Sequence, residues 1–131
     1  MNFLPARIAL HEGTPAVAVD LGDRGEAVLP LPGTVDPRKP AGQPVILGLR
    51  PEHFVVPHRA QPEQTVLGRL TLPVVVVEPS GSETMVVLRA GSKEITARYE
   101  PVDAPAVGQL AELLVDMSKA CLFDPATEER L

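Results

Sequence analysis

Four side chains in this sequence have the chemistry to hold a metal through nitrogen or sulfur: His11, His53, His58 and Cys121. Only His53 and His58 lie close, five apart across Pro57, and no second cluster has zinc-like spacing. All three histidines are therefore expected to be polar loop residues rather than ligands. Ser80, Ser82, Ser92, Ser118 and Cys121 are candidate nucleophiles, but none lies in a G-x-S-x-G elbow. Glu52 and His53 offer an acid and a base. Adjacent residues on an extended segment point to opposite faces, however, and do not converge on one substrate atom. No G-x-x-x-x-G-K-[ST] string exists to cradle a nucleotide's phosphates. The residue pattern assigns no catalytic, cofactor or metal site.

Backbone physics explains the segment around Glu52 better. In "VILGLRPEHF", Val45 to Phe54, Pro51 holds Arg50 extended and withholds a ladder donor, so a strand must stop or bend there. Arg50 and Glu52 lie on one side of the bend, where they can pair with each other or with neighbouring strands and fix the exit direction of the chain. Phe54 resumes the apolar pattern.

The elements that position these residues are strands. Fifteen prolines, ten glycines, abundant valine and 3% aromatics favour short strands and frequent turns over long helices. Strands are expected at residues 6–10, 16–21, 26–31 and 45–50, the last apolar on both faces and therefore central. Residues 32–44, "PGTVDPRKPAGQP", form a surface loop, and residues 57–64 a second polar connector. Residues 66–78, 83–89 and 94–99 make a meander joined by "PSGS" and "AGSK", with Gly81 free to take positive φ. The first two of these strands are apolar on both faces, so one face needs cover from the rest of the chain or from a partner. Leu110, Leu113, Leu114, Met117 and Cys121 fall at helical spacing, yet "LAELLV" suits a buried strand equally well. No internal repeat is legible.

A formal charge of -5 argues against a nucleic-acid binder, and Phe3, Phe54, Tyr99 and Phe123 suit a core better than a stacking platform. One cysteine rules out an internal disulfide and fits a reducing compartment. The N-terminus lacks a secretory signal, and "LTLPVVVV" is too short to span a bilayer. A soluble intracellular protein, or a fragment of one, is expected.

"LGLRPEHF" resembles a motif of the C-terminal regulatory domain of sugar-importer ABC transporter ATPase subunits, of the maltose and glycerol-3-phosphate importer type. "MNFLPARI" is similar to the junction after the ATPase core in those subunits. "VVVVEPSGSETMVVLRAGSKEITAR" resembles their long strand, Gly-x-Glu turn and hairpin, and "CLFDPATEERL" their terminal Leu-Phe-Asp and tail. The matching positions are Gly48, Arg50, Pro51, Glu52, His53, Gly81, Glu83, Phe123 and Asp124, carried over as structural residues only. Pro73 departs from the pattern inside the long strand and suggests a bulge or an edge position.

The resemblance implies an all-β, OB-fold-like barrel with extra strands, of the transport-associated OB (TOBE) type. It implies a single domain over residues 1–131 without the ATPase core, which the polar connector at 57–64 would divide into small β subdomains at about 1–57 and 65–131. Barrel closure then requires residues 110–115 to be a strand. The implied role is a non-catalytic regulatory and dimerisation domain without cofactors. Its implied partners are a second copy of itself, the ATPase core, the membrane subunits and a regulatory protein, with no nucleic acid. The location would be cytoplasmic, peripheral to the inner membrane. The alternative is a free-standing OB module for a small solute or oxyanion, with backbone donors near Gly81 or Gly91 as an anion nest.

Overall fold

The computed structural model describes residues 1–33, 39–64 and 66–131. Ten strands occur among them: β1 (Asn2–His11), β2 (Thr14–Asp20), β3 (Glu26–Pro30), β4 (Pro44–Leu49), β5 (Phe54–Val55), β6 (Leu67–Pro79), β7 (Thr84–Ala90), β8 (Lys93–Tyr99), β9 (Leu110–Asp116) and β10 (Cys121–Phe123). No α-helix is present among the described residues, only short 3-10 turns. Three of these, Pro51–His53, Pro57–Arg59 and Pro101–Asp103, open on a proline whose fixed φ suits a first helical position. Part of the loop expected at residues 32–44 lies outside the described residues, at 34–38.

The all-β expectation holds, including the ambiguous C-terminal run. In β9, Ala111, Leu113 and Val115 are buried and alternate with more exposed neighbours. A 3-10 turn at Met117–Lys119 then buries Met117. The helical spacing in the sequence is thus an alternating strand followed by a tight turn.

The strands form two antiparallel five-stranded sheets, ordered β10-β4-β1-β2-β3 and β5-β9-β6-β7-β8. As expected, β4 is central, between β10 and β1, although Ile46 on its outer face is only half-buried. Pro73 is not at an edge, because β6 lies between β9 and β7. Nor is Pro73 itself a bulge: the register shift lies just beyond it, between Val74 and Val76 on the β7 side. Pro73 itself sits opposite Leu110, at the start of β9, and the next N–H, on Val74, donates to the Gln109 carbonyl at 2.9 Å.

The two sheets have the same topology, which the sequence does not reveal. In each, a meander (β1-β2-β3 or β6-β7-β8) is joined along its first strand by a fourth strand, β4 or β9. The registers correspond as well. Leu4 opposite Leu47 matches Leu70 opposite Leu113, at a constant displacement along the chain. The inner faces of both sheets meet in one hydrophobic core that includes Leu4, Leu29, Leu47, Leu70, Leu113 and Ile95.

Candidate functional site

The residues singled out by the sequence fall into three places. Gly48 lies in β4 beneath an aromatic pair, Phe3 and Phe123, whose rings meet edge-on at 5.9 Å. A Cβ on Gly48 would come within 2.8 Å of Met1 Sδ and 3.0 Å of Phe123 Cε2, so glycine is what lets these side chains lie over the strand. Asp124 follows β10. Its carboxylate accepts the Ala126 N–H at 2.8 Å and the Thr127 N–H at 3.3 Å, and pairs with Lys39 Nζ at 2.9 Å. Lys39 and those donors hold the Asp124 carboxyl below the usual range. This is turn chemistry that fixes the tail.

The second place is the 3-10 turn Pro51–His53 between β4 and β5. The His53 N–H donates to the Arg50 carbonyl at 3.0 Å, while the Arg50 N–H donates to His53 Nδ1 at 3.1 Å. The reciprocal pair needs an unprotonated Nδ1, so His53 is neutral with its proton on Nε2. His53 is only 8% exposed, and burial holds its imidazole below the ordinary range against the opposing pull of Glu52 and Asp116. The expectation of a polar loop histidine fails here: the ring replaces a backbone acceptor inside the fold. Of the two pairings left open for Arg50 and Glu52, with each other or with neighbouring strands, neither occurs among the described ion pairs, although Arg98 of β8 lies near Glu52. The exit direction of the chain is set by His53 instead. His58 is exposed, 3.2 Å from Asp103, and His11 is exposed in β1.

The third place is the β6–β7 turn. Gly81 has φ +83 with open space around it, so its requirement is purely conformational. The Ser80 N–H donates to the Glu83 carbonyl at 2.8 Å, closing the turn. Glu83 pairs with Arg98 at 3.2 Å.

The structure brings the second and third places together. Glu52, Ser82, Glu83, Arg98 and Glu100 line one open cleft of about 500 Å³, floored by Phe54 and Tyr99. A hydrogen bond from its own N–H, with Arg98 nearby, holds the Glu52 carboxyl below the ordinary carboxylate range. Tyr99 Oη is buried without a hydrogen-bond partner among the described residues, and burial pushes the phenol up to about 12. The cleft therefore gathers exposed carboxylates and a guanidinium, with Glu83 and Arg98 paired to each other. Ser82 stands in it among carboxylates, and no described hydrogen bond joins its hydroxyl to one of them. No three His, Cys, Asp or Glu residues among those described stand close enough to hold a metal.

Sequence reasoning missed Asn2 and Arg98. The Asn2 side chain receives the Thr96 N–H and donates to the Thr96 carbonyl, both at 2.9 Å, pairing β1 with the edge of β8. Nothing local signals this contact, because the partners are remote in the chain.

Residues 47–123 match the TOBE domain family, and residues 1–54 match the MalK OB fold domain. The chain is 39% identical over 90 residues to the sulfoquinovosyl glycerol transport ATP-binding protein of Agrobacterium fabrum, covering 69% of this chain and 24% of that protein. Over all 131 residues it is 33% identical to an uncharacterized ABC transporter ATP-binding protein of Sinorhizobium fredii, 31% of whose length is covered. It is 30% identical over the same span to the sn-glycerol-3-phosphate import ATP-binding protein of Shigella sonnei, covering 33% of that protein. The chain thus spans at most about a third of the length of these relatives. A crystal structure of the cytoplasmic molybdate-binding protein ModG superposes with a TM-score of 0.63 at 22% identity, covering 95% of this chain and 96% of that one. That likeness is one of fold. No helix among the described residues is long and apolar enough to cross a membrane.

Proposed function

This chain belongs to the TOBE domain family, and on that premise we propose that it is the regulatory and dimerisation domain of an ABC importer's ATP-binding subunit, for a sugar or related solute. The observation that carries the reading is the whole-chain similarity to importer ATP-binding proteins together with two family matches that tile residues 1–123. In this reading the domain does no chemistry. It works in the cytoplasm beside the ATPase core and the membrane subunits, and brings two such cores together through contact with its twin. The nine motif positions keep the structural role given to them above. Apolar surface for self-contact is present on β6 and β7, where Met85 and Val87 are half-buried and Val76 is exposed.

Sedimentation of the chain tests this. A monomer–dimer equilibrium is expected in the micromolar to millimolar range, roughly 4–8 kcal/mol, with no response to ATP. A strictly monomeric chain at the highest soluble concentration overturns the dimerisation role. Binding heat with molybdate, sulfate, phosphate or sugars would instead favour a small-solute module.

A further inference from the structure

β10 is an edge strand of the first sheet, and the residues after it fold back onto that edge. Arg130 sits opposite Phe123 in an antiparallel bridge. Two ladder bonds flank the pair: the Asp124 N–H donates to the Glu129 carbonyl and the Leu131 N–H to the Leu122 carbonyl, both at 2.8 Å. Leu131 packs, partly buried, against the core. Opposing features set how firmly this tail sits. The Asp124 carboxylate holds the turn through the Ala126 and Thr127 N–H groups and pairs with Lys39. Against it, Glu128 has φ +62, a left-handed conformation that is costly for a residue with a Cβ. The same glutamate borders an apolar groove of about 360 Å³ lined by Phe3, Ile46 and Phe123, where a charged side chain gains nothing. Two ladder bonds on a strained turn make a cover that can open locally while the sheet stays intact.

We propose that residues 125–131 are a displaceable guard on the edge of β10, and that this edge, once uncovered, pairs with the β10 edge of a second copy about a two-fold axis. The groups that the tail satisfies carry the argument. When it leaves, Asp124 N–H and Leu122 C=O stand unpaired on either side of Phe123. One donor and one acceptor flanking a central residue are self-complementary. A two-fold axis beside Phe123 lets each Asp124 N–H donate to the Leu122 carbonyl of the other copy. The two Phe123 residues then face each other at a non-hydrogen-bonded position, where strands approach closest and opposed aromatic rings stabilise the pairing. The contact would join two edge-on Phe3–Phe123 clusters and cover exposed Phe3. A free strand edge is a template for pairing, so the guard makes this association conditional. The inference does not rest on the proposed role in transport, and it uses a different surface from the β6–β7 face.

The test is sedimentation in a Val87→Lys background, which sets like charges on the β6–β7 face and leaves the β10 edge as the contact being read. Comparing that variant with the parent tests the β6–β7 contact separately. Removing residues 125–131 should tighten self-association by about tenfold or more, with circular dichroism confirming the fold. Adding Phe123→Glu to the shortened chain should abolish the gain, because like charges then oppose each other across the axis. In the full-length chain Asp124→Ala, which loosens the turn, should tighten association in the same direction and covers the case in which the shortened chain does not fold. Unchanged association in Asp124→Ala, or a gain that survives Phe123→Glu, overturns the inference. Hydrogen exchange checks the guard itself. The amide of residue 124 should exchange well ahead of those of β4, faster still in Asp124→Ala and slower in Glu128→Gly, where glycine accepts the left-handed turn. Exchange as slow as in β4 would show that the tail is a fixed part of the sheet.

Discussion

At equivalent positions on their outer faces the two sheets carry opposite chemistry. The first sheet places Phe3, 54% exposed, and half-buried Ile46 where the second places Arg69 and Glu112, which form an ion pair. The inner counterparts, Leu4 with Leu70 and Leu47 with Leu113, are alike and buried. One architecture thus accepts both surfaces, and what it requires is the apolar inner face. The turns after β4 and β9, where the chain changes sheets, differ in the same spirit. The first is closed by a buried imidazole that accepts the Arg50 N–H. The second is closed by Asp116, which accepts the Ser118 N–H at 3.1 Å and the Ser118 hydroxyl at 2.6 Å. Backbone path is shared between the halves, and the means of satisfying it are local.

The sharpest way to break this correspondence is at the hairpin tips, where the halves touch. Gly91→Val adds a side chain 2.6 Å from a backbone oxygen at a residue with φ +64, combining strain with overpacking. Its expected cost is about 2–4 kcal/mol. Gly81→Val, at φ +83 in open space, bears the conformational cost alone, about 1–2 kcal/mol. Urea melts of the two variants check the order, and equal losses would mean that the tips do not press on one another. Glu52→Gln, on an exposed carboxylate, should be indistinguishable from the parent in the same melts.

Acid should separate the two turns next. His53 has its folded pKa lowered, so its neutral form is favoured in the fold. The stability it contributes is full above the ordinary histidine value near 6.5 and is lost as pH falls through the lower folded value. Burial raises the Asp116 carboxyl, but hydrogen bonds from Ser118 and Gln64, with His53 nearby, together more than offset this and leave it below the usual range. Its contribution is therefore lost only in the carboxylate range. Melting temperatures from pH 7 to 5 should fall in the parent and in Asp116→Asn, but less steeply in His53→Gln. An unchanged slope in His53→Gln would remove His53 as the acid-sensitive group.

The smallest effect should come from transplanting one outer surface onto the other. Phe3→Arg with Ile46→Glu gives the first sheet the charges the second already bears. The loss should be no more than about 1.5 kcal/mol, mostly the edge-on contact with Phe123 offset in part by a surface ion pair. A larger loss in thermal melts would show that the outer face of the first sheet is structural after all.

The sequence by itself determined most of the strands, their turns and the all-β class. Alternation in "EITARY" and the prolines and glycines between apolar runs are local signals that physics ties to backbone conformation. It also carried the family, through the order of "LGLRPEHF", "EPSGSET" and "CLFDP". Only the tertiary structure decided that β5 and β10 change sheets, that His53 is buried as an acceptor, that Asn2 reaches Thr96, and that Glu52 and Glu83 share a cleft. These depend on contacts between residues far apart in the chain. At such sites residue type reports the need for a partner but not which partner is met, because neighbours in sequence have no say in where a remote strand lies.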